Sequence, residues 1–133
     1  MKNTKKRIAA ALLGLGMIFA SGSAVSAQTV NFTFRFYSGN AVEGNHTATK
    51  ADWEQRAYVT TTSVGGTGNF GFRVRTANGS MATEYRTWTA GEVNNKTLAY
   101  SILTGTPGNS YRLHGQADSS KLAASNGSGR WTP

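Results

Sequence analysis

There is no cysteine anywhere in the sequence. That excludes disulfides, thiol catalysis, cysteine-ligated metal and a lipid anchor on cysteine. A small domain without such staples has to rest on core burial and sheet hydrogen bonding. Acid is also scarce, with six Asp and Glu against 14 Lys and Arg. The two histidines, His46 and His114, fall short of the three or four N or S ligands that zinc sites use. No D-x-[DN]-x-[DN]-G loop offers calcium a dense set of oxygens. Serine is plentiful, yet neither G-x-S-x-G nor S-x-x-K occurs. "GGTGNFGF" is rich in glycine but lacks the G-K-[ST] of a phosphate loop. A carboxylate pair for glycoside hydrolysis would have to come from Glu43, Asp52, Glu54, Glu84, Glu92 and Asp118, on a chain short for a cleft. These absences point away from an enzyme and supply no cofactor or metal site.

The one long apolar run lies at the start. Lys2, Lys5, Lys6 and Arg7 precede a stretch of 13 apolar residues and glycines, Ile8 to Ala20. Small residues follow and end in "AVSA", which sets a cleavage site between Ala27 and Gln28. This pattern predicts a secretory signal peptide over residues 1–27. A membrane anchor would need about 20 apolar residues. Without the leader, Lys and Arg fall to ten against six acids and the formal charge from +8 to +4. Seven of those ten cations are arginine, which favours fixed planar contacts over diffuse charge. The remaining 28–133 segment has no further membrane-length run and suits one domain.

What the segment does have is alternation. "VNFTFRF" places Val30, Phe32, Phe34 and Phe36 on one parity, and "NFGFRVRT" does the same with Phe70, Phe72 and Val74. "RAYVTTTSV" opposes Ala57, Val59 and Thr61 to Tyr58, Thr60 and Thr62, and "SYRLHGQA" opposes Tyr111 and Leu113 to Arg112 and His114. "ATEYRTWT" and "KTLAYSIL" read as two more strands, with Leu98 inward and Ile102 a further core candidate. Short strands are expected around His46 to Thr49 and around Trp131, the latter after a loop-like "SSKLAASNGSG". Asn78-Gly79 is a strong hairpin turn signal. The nearest candidate helix, "ATKADWEQRA", has only Trp53 and Ala57 to bury. The expected fold is all-β, a single antiparallel sandwich of about eight strands.

The same alternation turns Arg35 and Tyr37, Arg73 and Arg75, and Arg112 and His114 outward. The plainer reading is that scattered arginines keep a sheet solvated and guard its edges. If instead their strands share a sheet, an Arg/aromatic face results, able to hold a polyanion or to stack on sugar rings. The candidate binding residues are then Arg35, Tyr37, Arg73 and Arg75, with Trp88 as a stacking platform.

"YRLHGQADSSKLAASNGSGRWTP" and "VNFTFRFYSGNA" resemble the two ends of a group of small secreted proteins of Gram-positive bacteria, a domain of unknown function. The shared pattern is a leader, an aromatic first strand, a Thr-rich middle, a Leu-x-Gly turn (Leu113–Gly115) and a closing Ser-Gly-x-Trp (Ser128–Trp131). Where the group is expected to carry acidic residues after that Trp, this chain has Thr132-Pro133. The resemblance implies an exported, cysteine-free β-sandwich and brings no catalytic residue. Together these readings lead to a non-catalytic extracellular or cell-envelope binding module. Its partner would be an anionic cell-wall polymer or a carbohydrate, with no role for nucleic acid or for a membrane once the leader is removed. The rival readings are a secreted antimicrobial or toxin-like protein and, behind it, a small hydrolase.

Overall fold

The computed structural model describes residues 27–36, 42–66, 69–117 and 125–133. The expected leader up to Ser26 and the candidate Tyr37 lie outside these residues. Eight strands run in chain order: β1 (Val30–Phe36), β2 (Val42–Thr49), β3 (Arg56–Gly65), β4 (Asn69–Thr76), β5 (Arg86–Thr89), β6 (Asn95–Ala99), β7 (Ser110–Ala117) and β8 (Ser125–Thr132). They form two four-stranded sheets, β1-β8-β3-β6 and β2-β7-β4-β5. Every pairing is antiparallel. The sheets pack face to face as a β-sandwich, and no described residue is helical.

Aromatic rings fill the space between the sheets. Phe32, Phe34 and Phe36 hang from β1, and Phe70 and Phe72 rise from β4, all at most 2% exposed. Phe72 meets Phe32 edge-on at 4.9 Å between centroids and Trp88 at 5.2 Å. Such tilted contacts suit the ring quadrupole better than a flat sandwich. Val59, Val74, Leu98, Tyr111 and Leu113 complete the expected core, and Val30 packs at its margin.

Three expectations are corrected. The last strand is not a short piece at Trp131, because β8 spans eight residues and lies between β1 and β3. Its inward positions before Trp131 are Gly127 and Gly129, which carry no hydrophobic signal. A Cβ at Gly127 would stand 2.7 Å from Phe70 Cε2, and one at Gly129 would collide with the backbone of Thr60 and Thr61. At Gly127 rings of the opposite sheet occupy the room a side chain would need, and at Gly129 the adjacent β3 backbone and Phe32 do.

Ile102 is 91% exposed and is no core residue. The strand ends at Ala99, Tyr100 turns inward to bridge Thr83, and a turn closed by Thr104 N–H to Ser101 O at 3.0 Å puts Ile102 at its tip. "ATEYRTWT" is likewise a strand only over Arg86–Thr89. The Asn78-Gly79 turn forms, with Gly79 at φ 90°, but its return leg is a single bridge from Arg75 to Met81.

One cation is drawn into the structure. Lys50, 1% exposed, donates from Nζ to Asp52 Oδ1 at 2.9 Å and to Pro133 O at 3.2 Å, and stands 5.2 Å from the Tyr100 ring centre. It ties the β2–β3 connection to the end of β8.

Candidate functional site

Alternation along β4 and β7 sends a second set of residues away from the core. On β4 these are Asn69, Gly71, Arg73 and Arg75, and on β7 they are Arg112, His114 and Gln116. The two strands are direct neighbours, with Arg75 opposite Arg112, Arg73 opposite His114 and Gly71 opposite Gln116. Side chains on one face of such a pair have Cβ atoms about 4.5–5.5 Å apart. Three guanidinium groups and an imidazole therefore share one patch on the outer face of the β2-β7-β4-β5 sheet.

The patch is short of counter-charge. Of the ion pairs between described residues, Lys50–Asp52 and Lys96–Glu92, neither involves these arginines. Arg73 Nε, Arg75 Nε and His114 Nε2 are covered by protein and have no hydrogen-bond partner. Buried polar nitrogens are ordinarily bonded, so three orphans on one face are a departure from the rule. The bonds the arginines do make are peripheral. Arg75 Nη1 reaches Gly79 O at 3.4 Å, and Arg73 Nη1 touches the Met81 thioether.

Arg73 is held flat. Its guanidinium lies 3.6 Å from the centre of the Tyr85 ring, a cation–π stack. Tyr85 is fixed in turn by its hydroxyl, which donates to Gln116 Oε1 at 2.6 Å. Gly71 gives the ring room: a Cβ there would meet Tyr85 Cδ1 at 3.1 Å and Arg86 O at 3.0 Å. Burial, and then the charges of Arg75 and Arg73, hold the His114 imidazole down to about 4. At neutral pH it is uncharged, and it can gain a proton when an anion offsets the arginines.

Not all the expected site residues meet here. Arg73 and Arg75 do. Arg35 is exposed on β1, on the outer face of the other sheet and so on the far side of the sandwich. Tyr37 lies outside the described residues. Trp88 cannot serve as a stacking platform, because it is 0% exposed and packs against Phe72. Its Nε1–H donates to Asn94 Oδ1 at 2.8 Å, which satisfies the indole inside the core. The aromatic partner is Tyr85 instead. It lies in the expected strand "ATEYRTWT" but precedes β5, outside the ladder, so the parity of that strand does not govern its face.

No family model matches the chain, and no curated protein is similar enough to count as a relative. Among the described residues no group of three or more His, Cys, Asp or Glu could hold a metal ion. What the patch offers chemically is a fixed array of donors, charged and partly desolvated, suited to an anion with several oxygens.

Proposed function

We propose that the protein is exported and works outside the cell as a non-catalytic binding module, holding an anionic envelope polymer on the outer face of the β2-β7-β4-β5 sheet. The observation that carries this reading is the row of Arg73, Arg75 and Arg112 on one sheet face, with no ion pair to any of them among the described residues. A phosphate or carboxylate lying on the guanidinium ends would supply the counter-charge that this row lacks. Arg112, exposed and opposite Arg75, extends the row toward β2. The leader-like N-terminus supports export, and a formal charge of +4 after its removal favours an anionic partner. A repeating polyanion suits a row of arginines better than a single small anion, since each repeat can engage another guanidinium.

Co-sedimentation of the purified protein with bacterial cell wall, before and after removal of the wall's anionic polymers, tests the proposal. Retention should require the polymers and weaken as salt screens the contacts. Retention that persists in Arg75→Ala with Arg112→Ala, or that ignores salt, would defeat it.

A further inference from the structure

The cationic row does not fill its face of the sheet. Toward the other end of β4 the outer surface becomes neutral and concave. A hollow of about 530 Å³ opens over Gly71, walled by Asn69, Arg73, Tyr85, Thr87 and Gln116. That volume lies within the roughly 300–1,000 Å³ of small-ligand pockets. Gly71 makes its floor, and Thr87 of β5 and Gln116 of β7 flank that floor as its two cross-strand partners. The rim holds two amides, on Asn69 and Gln116, and a hydroxyl on Thr87. Among the described residues that line it, the only side-chain charge is that of Arg73.

This lining selects among ligands. A planar base would want an open aromatic face, but Arg73 already lies on the Tyr85 ring. An isolated anion would gain little from amides and a hydroxyl when three arginines stand beside it. A ring bearing several hydroxyls is matched best, because amides and hydroxyls both donate and accept. The distance is also set by the strand. From Gly71 to Arg75 is four residues of β4, about 13 Å at the usual rise.

We propose that the hollow over Gly71 is a subsite for a neutral sugar, continuous with the arginine row, and that the ligand is a polyanion carrying sugar units within about one repeat of its charged groups. This rests on the polyanion reading above and goes further by naming what the anionic chain must bear. Tyr85 joins the two halves, since it stacks on Arg73 on one side and bonds Gln116 on the other.

The test measures affinity for two soluble probes at fixed low salt, a poly(glycerol phosphate) chain and the same chain with glucosyl branches. The wild-type protein should bind the branched chain at least about fivefold more tightly. Asn69→Ala with Thr87→Val changes two exposed side chains and so leaves the core intact. It should abolish that preference while leaving affinity for the bare chain unchanged. Equal affinity of wild type for both probes overturns the sugar subsite and leaves the polyanion reading standing. So does a preference that survives the double substitution, because the sugar would then sit elsewhere. A substitution that weakens both probes alike overturns the separation into two subsites. Failure of both probes to bind removes the polyanion reading and the subsite with it.

Discussion

Two regions of this sandwich treat their charges in opposite ways. At the β5–β6 turn the side chains of Thr89, Glu92, Asn94 and Lys96 all have partners. Glu92 accepts from Thr89 N at 2.9 Å, from Asn94 Nδ2 at 2.6 Å and from Lys96 Nζ at 2.7 Å. Asn94 also accepts from Trp88 Nε1 and its backbone bonds the Thr61 hydroxyl. Lys96 lies 4.9 Å from the Trp88 ring centre and donates to Thr87 O. On the outer face of β4 and β7, by contrast, three covered nitrogens lack any bond, and Arg75 faces Arg112 with no ion pair to either among the described residues. The first region has the marks of a structural lock, self-satisfied and closed. The second is left open, in a way that the proposed anion would complete.

The comparison breaks most severely at Trp88. Trp88→Ala removes a fully buried indole and orphans Asn94 Oδ1, and should cost about 3–5 kcal/mol of stability. Thermal or denaturant unfolding would register this as a large fall in midpoint. Polyanion affinity of the molecules still folded should not change. A Trp88 variant that kept its stability but lost binding would reverse the roles assigned to the two regions.

Arg75→Ala with Arg112→Ala is the complementary experiment. Two charge-assisted contacts worth about 1.5 kcal/mol or more each are removed, so polyanion affinity should fall at least about a hundredfold. The plot of log affinity against log salt should become shallower by about one unit per lost phosphate contact, by analogy with nucleic-acid binding. Unfolding should move by no more than about 0.5 kcal/mol, as for other surface changes. A large loss of stability would mean that these arginines are part of the framework.

How far these regions could be foreseen depends on where each side chain's signal lies. β1, β4 and β7 were legible because one parity is aromatic or aliphatic and the other polar, so inside and outside separate in the string itself. β8 was not, since Gly127 and Gly129 face a core that Phe70 and Phe32 fill from elsewhere. Parity also fails at strand ends. Arg86 and Trp88 share one, opposite Phe72 and Phe70, yet Trp88 is buried and Arg86 exposed. Nor does parity say which sheet a strand joins, a matter of long-range pairing. Arg35 and Arg73 both point outward, but from opposite sides of the sandwich. The site was therefore half visible: Arg73, Arg75, Arg112 and His114 were read as outward, but not that β4 and β7 lie side by side.

Acid separates the two regions by a smaller effect. The Lys96 ammonium, with Thr89 N–H and Asn94, holds the Glu92 carboxyl down to about 2 from an ordinary 4.5. A depressed carboxyl contributes stability above its unfolded value and loses it as pH falls through its folded one. The lock should thus weaken between about pH 4.5 and 2, a range set by the same values. Glu92→Gln should flatten that part of the stability profile without affecting polyanion binding at neutral pH.

The smallest expected effect is the most discriminating, because His114 should move stability and binding in opposite directions. Its imidazole sits at about 4 in the free protein, against 6.5 for an ordinary histidine. The unfolded chain therefore holds more protons over that interval, and the free protein should lose stability as pH falls from about 6.5 to 4. A polyanion lying against Arg73 and Arg75 would offset the charges that help hold the proton off, raising the imidazole's pKa in the complex. Binding then takes up a proton, and by linkage affinity should rise over the same fall in pH. His114→Gln should remove both slopes together while leaving the arginine contacts in place. Affinity that is flat with pH in the wild type, or that keeps its slope in His114→Gln, would mean that the polymer does not reach the imidazole. The arginine row would then be read as binding only toward its Arg112 end.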